Sequence, residues 1–348
     1  MNNFWKDKKV LVTGHTGFKG GWLSLWLYLL GAKVYGISLK PNKKSFYNFT
    51  KLEKIIYRSN FIDITNFELT KKKIIEMNPQ IVFHLAAQPL VLESYKLPLK
   101  TLKTNIVGTA NVLESLKKCK NIKSIIVVTT DKIYGSSNKK FIETDRLAGN
   151  DIYSASKSSV ELISAAFYKS FFKKKNILLS TVRAGNVIGG GDFSKDRIVP
   201  DIINSIKNNK RLIIRNPFHT RPWQNILDPL YGYLILAEKL FKGNKNFVGP
   251  WNFGPDEKNC KVKSLVKKFL KKKKFKYKEI KTKNSLNETK LLNLNNNKSK
   301  LKLKWKPIIN LNKSVDLILN WNFFNKKKTD YYKNSVDQII HYIKLVNK

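Results

Sequence analysis

The sequence of 348 residues predicts an α/β fold, a doubly wound parallel sheet that carries a smaller C-terminal lobe. Three observations lead there. Short β-branched runs alternate with longer amphipathic segments through the first half, the pattern of parallel strands joined by crossover helices. A glycine-rich turn stands directly between the first such run and the first helix. The alternation then fails beyond Ala184, where 185–221 is rich in Gly, Pro, Arg and Asn, as loops over a cleft are. These shifts put the first domain at 1–184 and the lobe mainly at 185–348, with segments such as 222–242 expected to rejoin the first domain.

In chain order, Lys9 to Thr13 (KVLVT) predicts a short buried strand, followed by a helix that Gly31 stops. Strands follow at Lys33 to Ser38, Tyr57 to Ile62, Gln80 to Leu85, Ser124 to Thr129 and Ile177 to Arg183. Long helices are expected over Ser94 to Lys118 and Asp151 to Phe172. Further on, a helix is expected near Leu230 to Phe241, a strand at Trp251 to Phe253, and a lysine-rich helix at Lys261 to Lys274. The polar stretch Lys281 to Lys304 belongs on the surface. Leu311 to Phe324 and Asn334 to Asn347 have helical spacing.

A hydrophobic share of 42% supports a packed core, and the formal charge is +43. Such a charge fits either a nucleic-acid binder or simply solvated lysine-rich faces. The lysines are scattered, and only Arg58, Arg146, Arg183, Arg197, Arg211, Arg215 and Arg221 are arginine, which favours the second. Five of these arginines crowd into one short segment. They point either to planar forks for a diphosphate or to buried ion pairs. Cys119 and Cys260 lie far apart without metal-ligand spacing, so neither a disulfide framework nor a metal site is expected. The polar Met1 to Lys9 does not read as a secretory signal, and the apolar run Trp22 to Leu30 is too short to span a bilayer. A cytoplasmic protein is the expectation.

The turn Gly14-His15-Thr16-Gly17-Phe18-Lys19-Gly20 has a strand before it and a helix behind it. Gly14 suits the tight turn, Gly17 the approach of a pyrophosphate, and Gly20 close helix–strand packing; the free N–H groups at the helix start hold phosphate. This is a Rossmann-type dinucleotide site with the glycine spacing of short-chain dehydrogenases. After the second strand, Ile37-Ser38-Leu39-Lys40 offers neither an acid for ribose hydroxyls nor an arginine for a 2′-phosphate, so NAD and NADP both remain open. Asp63, next to Ile64, could meet the adenine amino group or cap the following helix. Leu85, Ala86 and Ala87 end the fourth strand and would let backbone pass close to the cofactor.

Tyr153 and Lys157 stand at i and i+4 on one helix. A nearby ammonium stabilises phenolate, so Lys157, helped by a positive nicotinamide ring, would bring Tyr153 toward working pH. Thr130, Asp131 and Lys132 close the fifth strand, where ligands of open α/β sheets sit, although a plain polar turn would look the same.

VTGHTGFKGGWLSLWL, HLAAQPLV, TTDKIYG, YSASK, RAGNVIGGGD, DRIVPD, RPWQNILDPLYGYL and WNFGP together resemble, in order and spacing, the CDP-glucose 4,6-dehydratases of the extended short-chain dehydrogenase/reductase family. The resemblance covers most of the chain. His15, Lys19 and Lys132 are its most discriminating features, and Asn225 stands where that family often has His. It implies NAD as cofactor, CDP-glucose as substrate and a redox-neutral route: C4 oxidation with Tyr153 taking the hydroxyl proton, loss of water across C5 and C6, and hydride return to C6. Asp131 would then be the acid for the departing hydroxyl, and Lys132 the C5 base if burial lowers its pKa. Asn186, Arg197, Arg215 and Arg221 would hold the substrate diphosphate and ribose. Such enzymes commonly pair as homo-oligomers through the two long helices. A related 4-epimerase shares Tyr and Lys but has no need of the Asp–Lys pair, and a basic nucleic-acid binder would need neither.

Overall fold

The computed structural model describes residues 3–135, 139–256, 260–280, 293–323 and 330–347. Seven strands, β1 (Lys9–Thr13), β2 (Lys33–Ser38), β3 (Arg58–Phe61), β4 (Ile81–His84), β5 (Ser124–Val128), β6 (Leu178–Ala184) and β7 (Gly249–Phe253), form one parallel sheet. Its order is β7-β6-β5-β4-β1-β2-β3. The direction of winding reverses between β1 and β4, and the crevice that this opens at their carboxyl ends is where such sheets bind ligands.

Helices cover both faces. Val10 and Val12 point to one side of β1, into a core shared with α1 (Phe18–Leu29) and α6 (Leu227–Phe241). Leu11 points to the other, into a core shared with α2 (Phe67–Met77), α3 (Gly108–Leu116) and α4 (Ile152–Phe167). The two-residue alternation of strand side chains makes both faces of so short a segment apolar. A third core holds the lobe, where Val199 and Ile202 of α5 (Ile198–Asn208), Leu265 and Phe269 of α7 (Val262–Leu270), and Val315 and Ile318 of α8 (Leu311–Phe323) meet.

The expected helix over Ser94 to Lys118 is broken. Val91–Lys96 ends at Leu97, Pro98 opens a new turn through Leu102, and Lys103–Val107 is a π turn before α3. Proline has no N–H to continue a helix but fits the first position of the next. Helix α4 stops at Phe167 and continues as a π turn over Tyr168–Phe172. Of the polar stretch, 281–292 lies outside the described residues; Asn297–Leu303 is helical and buries Ser299 and Leu303. Phe324 also lies outside the described residues, while α9 (Tyr331–Val346) packs back on α1 through Tyr342 against Trp26.

Two junctions tie the lobe and C-terminal segments to the sheet. Asp228 is fully buried in the first turn of α6; its Oδ1 accepts from Ile308 N at 2.8 Å and from the Tyr342 hydroxyl at 2.9 Å, and its carbonyl accepts from Trp305 Nε1. Oδ2 has no hydrogen-bond partner among the described residues. Burial outweighs these bonds and pushes the carboxyl up to about 7. The second junction is aromatic: Trp22 Nε1 donates to Gly190 O at 2.9 Å, and Trp321 lies so close over Gly190 that an added Cβ would sit 2.2 Å from its ring.

Candidate active site

The glycine turn has the geometry its spacing predicts. Gly14 has φ +76°, and an added Cβ would stand 2.8 Å from Ala86 N; at Gly20 it would stand 2.1 Å from Gly14 O. Gly17 opens α1 with no side chain bonding the free N–H groups, which leaves them for a phosphate. Thr16 is anchored to Ser38 Oγ at 2.6 Å and donates to Leu39 O. These residues fit a dinucleotide: a cradle that any Cβ would fill, lined by unclaimed donors at the sheet's switch point.

A buried network fixes the end of β4 beside that turn. Thr109 donates its single hydroxyl proton to Asn105 O, so His84 Nε2 must donate to Thr109 Oγ1 at 2.9 Å. His84 Nδ1 then accepts from Thr13 Oγ1 at 2.7 Å, and burial holds this imidazole neutral, down at about 3. Thr13 Oγ1 in turn accepts from Leu85 N and Ala86 N. Asn105 continues the chain to Ser156 Oγ, which donates to Tyr153 O. Asp63 is exposed just beyond β3, and its Oδ1 accepts from Thr65 N; the cap of α2 is Asn66, not Asp63.

Thr130, Asp131, Lys132, Tyr153, Asn186, Arg197, Arg215 and Arg221 all line one cavity of about 480 Å³. So does Lys19, expected only at the phosphate turn, together with Thr129, Asp192, His219 and Trp223, which the sequence did not single out. Asp131 is buried; Oδ1 accepts from Thr130 Oγ1 at 3.1 Å, and Oδ2 has no hydrogen-bond partner among the described residues. Burial raises its pKa, against the pull of Lys132, Thr130, Arg221 and Lys19. Burial and then Arg197 push Lys19 down to about 8, against Asp131 and Asp192. Lys157 Nζ donates to Val128 O at 3.1 Å, and burial and then Lys19 bring it to about 8.

Tyr153 is buried in the cavity wall. Burial pushes its phenol up to about 12, with the Thr130 hydroxyl and Arg197 pulling the other way. The charge of Lys157 does not by itself bring the phenol down, because a buried phenolate loses its hydration.

The clustered arginines divide. Arg197 reaches Asp192 at 3.1 Å, Arg215 reaches Asp196 at 3.0 Å, and Arg221 donates to Thr220 O from the cavity wall. Arg183 instead forms a buried pair with Glu161, and Arg211 is exposed outside the cavity lining, so the fork reading fails for these two. Asn225 is buried, and its Oδ1 accepts from Leu227 N at 3.0 Å, at the first residue of α6. Among the described residues no three His, Cys, Asp or Glu side chains are grouped to hold a metal ion, and no helix is long and apolar enough to cross a membrane.

A glycine cradle at the switch point, with Tyr153, Lys157 and an acid at the end of β5, defines a dinucleotide-dependent enzyme of the short-chain type. Residues 11–318 match the family model described as GDP-mannose 4,6 dehydratase, and the chain belongs to that family. It is 45% identical to CDP-glucose 4,6-dehydratase of Salmonella typhimurium over 76% of each chain. It is 31% identical to dTDP-D-glucose 4,6-dehydratase of Dictyostelium discoideum over 72% of this chain and 60% of that one. The fold matches dTDP-glucose 4,6-dehydratase of Bacillus anthracis, solved with NAD, with TM-score 0.76 and 22% identity over 94% of this chain and 99% of the other. UDP-glucuronic acid 4-epimerase of Bacillus cereus, solved with UDP-glucuronic acid and NAD, matches with TM-score 0.78 and 23% identity over 93% and 98%.

Proposed function

We propose that this chain is an NAD-dependent hydro-lyase that converts CDP-glucose to CDP-4-keto-6-deoxyglucose and water. The observation that carries the reading is Asp131: an acid with a raised pKa and a free oxygen, in the same cavity as Tyr153 and beside the glycine turn. Exchanging the configuration at C4 needs no such acid; expelling a hydroxyl does.

Bound NAD supplies the two-electron exchange and, when oxidised, a positive ring that favours phenolate. Gly14, Thr16, Gly17, Phe18 and Gly20 surround the pyrophosphate, while Asp63, Ile64, Leu85, Ala86 and Ala87 flank the rest of the dinucleotide. Lys157 holds the ribose hydroxyls. Thr130 orients the sugar, and Tyr153 takes the proton of its 4-hydroxyl. The C4 ketone acidifies the C5 proton, and Asp131 protonates the 6-hydroxyl as it leaves. Lys132 and Lys19 both reach the cavity as candidates for the C5 base, and burial with Arg197 brings Lys19 down to about 8. Asn186, Arg197, Arg215 and Arg221 take the diphosphate and ribose.

In this reading residues 1–184 serve the dinucleotide and 185–348 mainly the sugar nucleotide, with 222–242 returned to the sheet. The protein works in the cytoplasm as a homo-oligomer. Exposed Leu99, Val107, Leu162 and Phe171, on and around the helices expected to pair, supply an apolar surface for it. Incubation with CDP-glucose in heavy water, followed by mass spectrometry, tests the function: the product should lack one water and carry deuterium at C5. A product of unchanged mass would make the chain an epimerase. A Tyr153→Phe variant as fast as the parent would remove the assigned chemistry.

A further inference from the structure

Glu161 and Arg183 form a buried ion pair directly beneath the catalytic groups. Glu161 stands one turn beyond Lys157 on α4, and both it and Arg183 are almost wholly hidden from solvent. Its carboxylate accepts from the hydroxyls of Thr129 and Thr181, and from Arg183 Nε at 2.9 Å and Nη2 at 3.1 Å. Arg183 then donates through Nη1 to the Tyr134 hydroxyl and, at 3.0 Å, to Glu143 O. The Tyr134 hydroxyl donates onward to Asn252 Oδ1 at 2.8 Å.

The placement along the chain is the informative part. Thr129 immediately precedes Thr130, and Tyr134 follows the turn Asp131–Ile133. One ion pair therefore grips both flanks of the segment that carries Thr130, Asp131 and Lys132, while its acid belongs to the helix that carries Tyr153 and Lys157. Stability alone does not call for this device, since a well-packed apolar pair serves a core as well or better.

We infer that Glu161 is a positioning residue, which sets the spacing between α4 and the end of β5 and keeps its carboxylate one turn from the Lys157 side chain. The inference rests on the function proposed above. The charged and titratable groups facing Lys157 are Glu161 and Tyr153 of α4, Lys19 of α1 and His84 of β4; of these, Glu161 favours the ammonium against burial and Lys19.

The test compares the parent with Glu161→Gln, Thr129→Val and the double variant Glu161→Gln/Arg183→Gln. A misplacement of catalytic groups by about 1 Å costs on the order of a hundredfold. Glu161→Gln and the double variant should lose about that much kcat on CDP-glucose, with KM within about threefold of the parent. Their alkaline limb of kcat should move to lower pH, because loss of the anion lowers the pKa of Lys157. Thr129→Val should lower kcat about tenfold and leave that limb in place. The double variant leaves no unpaired buried charge, whereas Glu161→Gln alone leaves Arg183 buried without its counter-charge. A folded double variant with parental kcat and pH profile, or Thr129→Val with parental kcat where neither Gln variant folds, overturns the inference. Should the parent not dehydrate CDP-glucose, the functional reading fails by itself. A titration of ε-13C-lysine-labelled chain, with Lys157 assigned from Lys157→Arg, then decides: an unchanged Lys157 pKa in the Gln variants overturns the role of Glu161, and a lower one supports it.

Discussion

Asp228 offers a prediction whose size follows from the structure. Its carboxyl rises from 3.8 to about 7 because it is sealed between α6, α9 and the segment at Ile308, with Oδ2 unpaired. A raised folded-state pKa means that the folded chain keeps a proton the unfolded chain releases. The protonated acid therefore costs nothing below about pH 3.8, and a penalty accumulates as pH rises until it levels off above about 7. At about 1.4 kcal/mol per unit, the penalty should reach roughly 4 kcal/mol, of which about 3 kcal/mol arises between pH 5 and pH 8. Asp228→Asn cannot ionise and still accepts through Oδ1. Its buried Nδ2 adds a cost, but one that does not vary with pH. Urea unfolding of parent and variant, followed by tryptophan fluorescence at both pH values, should show the variant gaining about 3 kcal/mol on the parent from pH 5 to pH 8. Equal differences at the two pH values would refute the claim that Asp228 is buried as the neutral acid.

Three further outcomes concern the site. Asp131→Asn should still oxidise C4 but lose about 10²- to 10⁴-fold in water elimination, so that the 4-keto sugar retaining its 6-hydroxyl accumulates in a mass spectrum; unimpaired elimination would place the acid elsewhere. Lys19→Met and Lys132→Met separate the two candidate bases: the one whose loss abolishes deuterium entry at C5 in heavy water is the base, and equal, undiminished incorporation in both excludes each of them. Gly20→Ala forces a Cβ to 2.1 Å from Gly14 O, so calorimetry should find NAD binding weakened roughly ten- to a hundredfold; binding within about threefold of the parent would mean the turn yields freely.

Much of this was legible in the sequence because strands buried on both faces leave continuous apolar runs, and KVLVT is nearly unmistakable before a glycine turn. Thr130 and Asp131 could be located because open sheets put ligands at strand ends, and Tyr153 because it stands four residues before Lys157 on one helix. Other features depend on contacts between distant segments. Nothing in the motif GHTGFKG separates a Lys19 held at a phosphate from one that lines the same cavity as Asp131; that depends on how α1 packs against the lobe. Arg183 looks like its neighbours Arg197 and Arg221 until β6 and α4 are packed, when Glu161 claims it. The single helix expected over Ser94 to Lys118 took no account of Pro98, at which the structure starts a new turn. The depth at which Tyr153 is buried, which raises its phenol, is not readable from a sequence that shows only the neighbouring lysine.

The seam at Gly190 bears on how substrate enters. With Trp22 bonded to its carbonyl on one side and the Trp321 ring pressed against it on the other, the loop is stitched into both halves of the molecule. A wholesale swing of the lobe would have to tear that seam, so under the proposed function a sugar nucleotide should enter past the cavity rim, where Arg197 and Arg215 bond Asp192 and Asp196. Tryptophan emission at this point should accordingly stay steady while ligand is taken up.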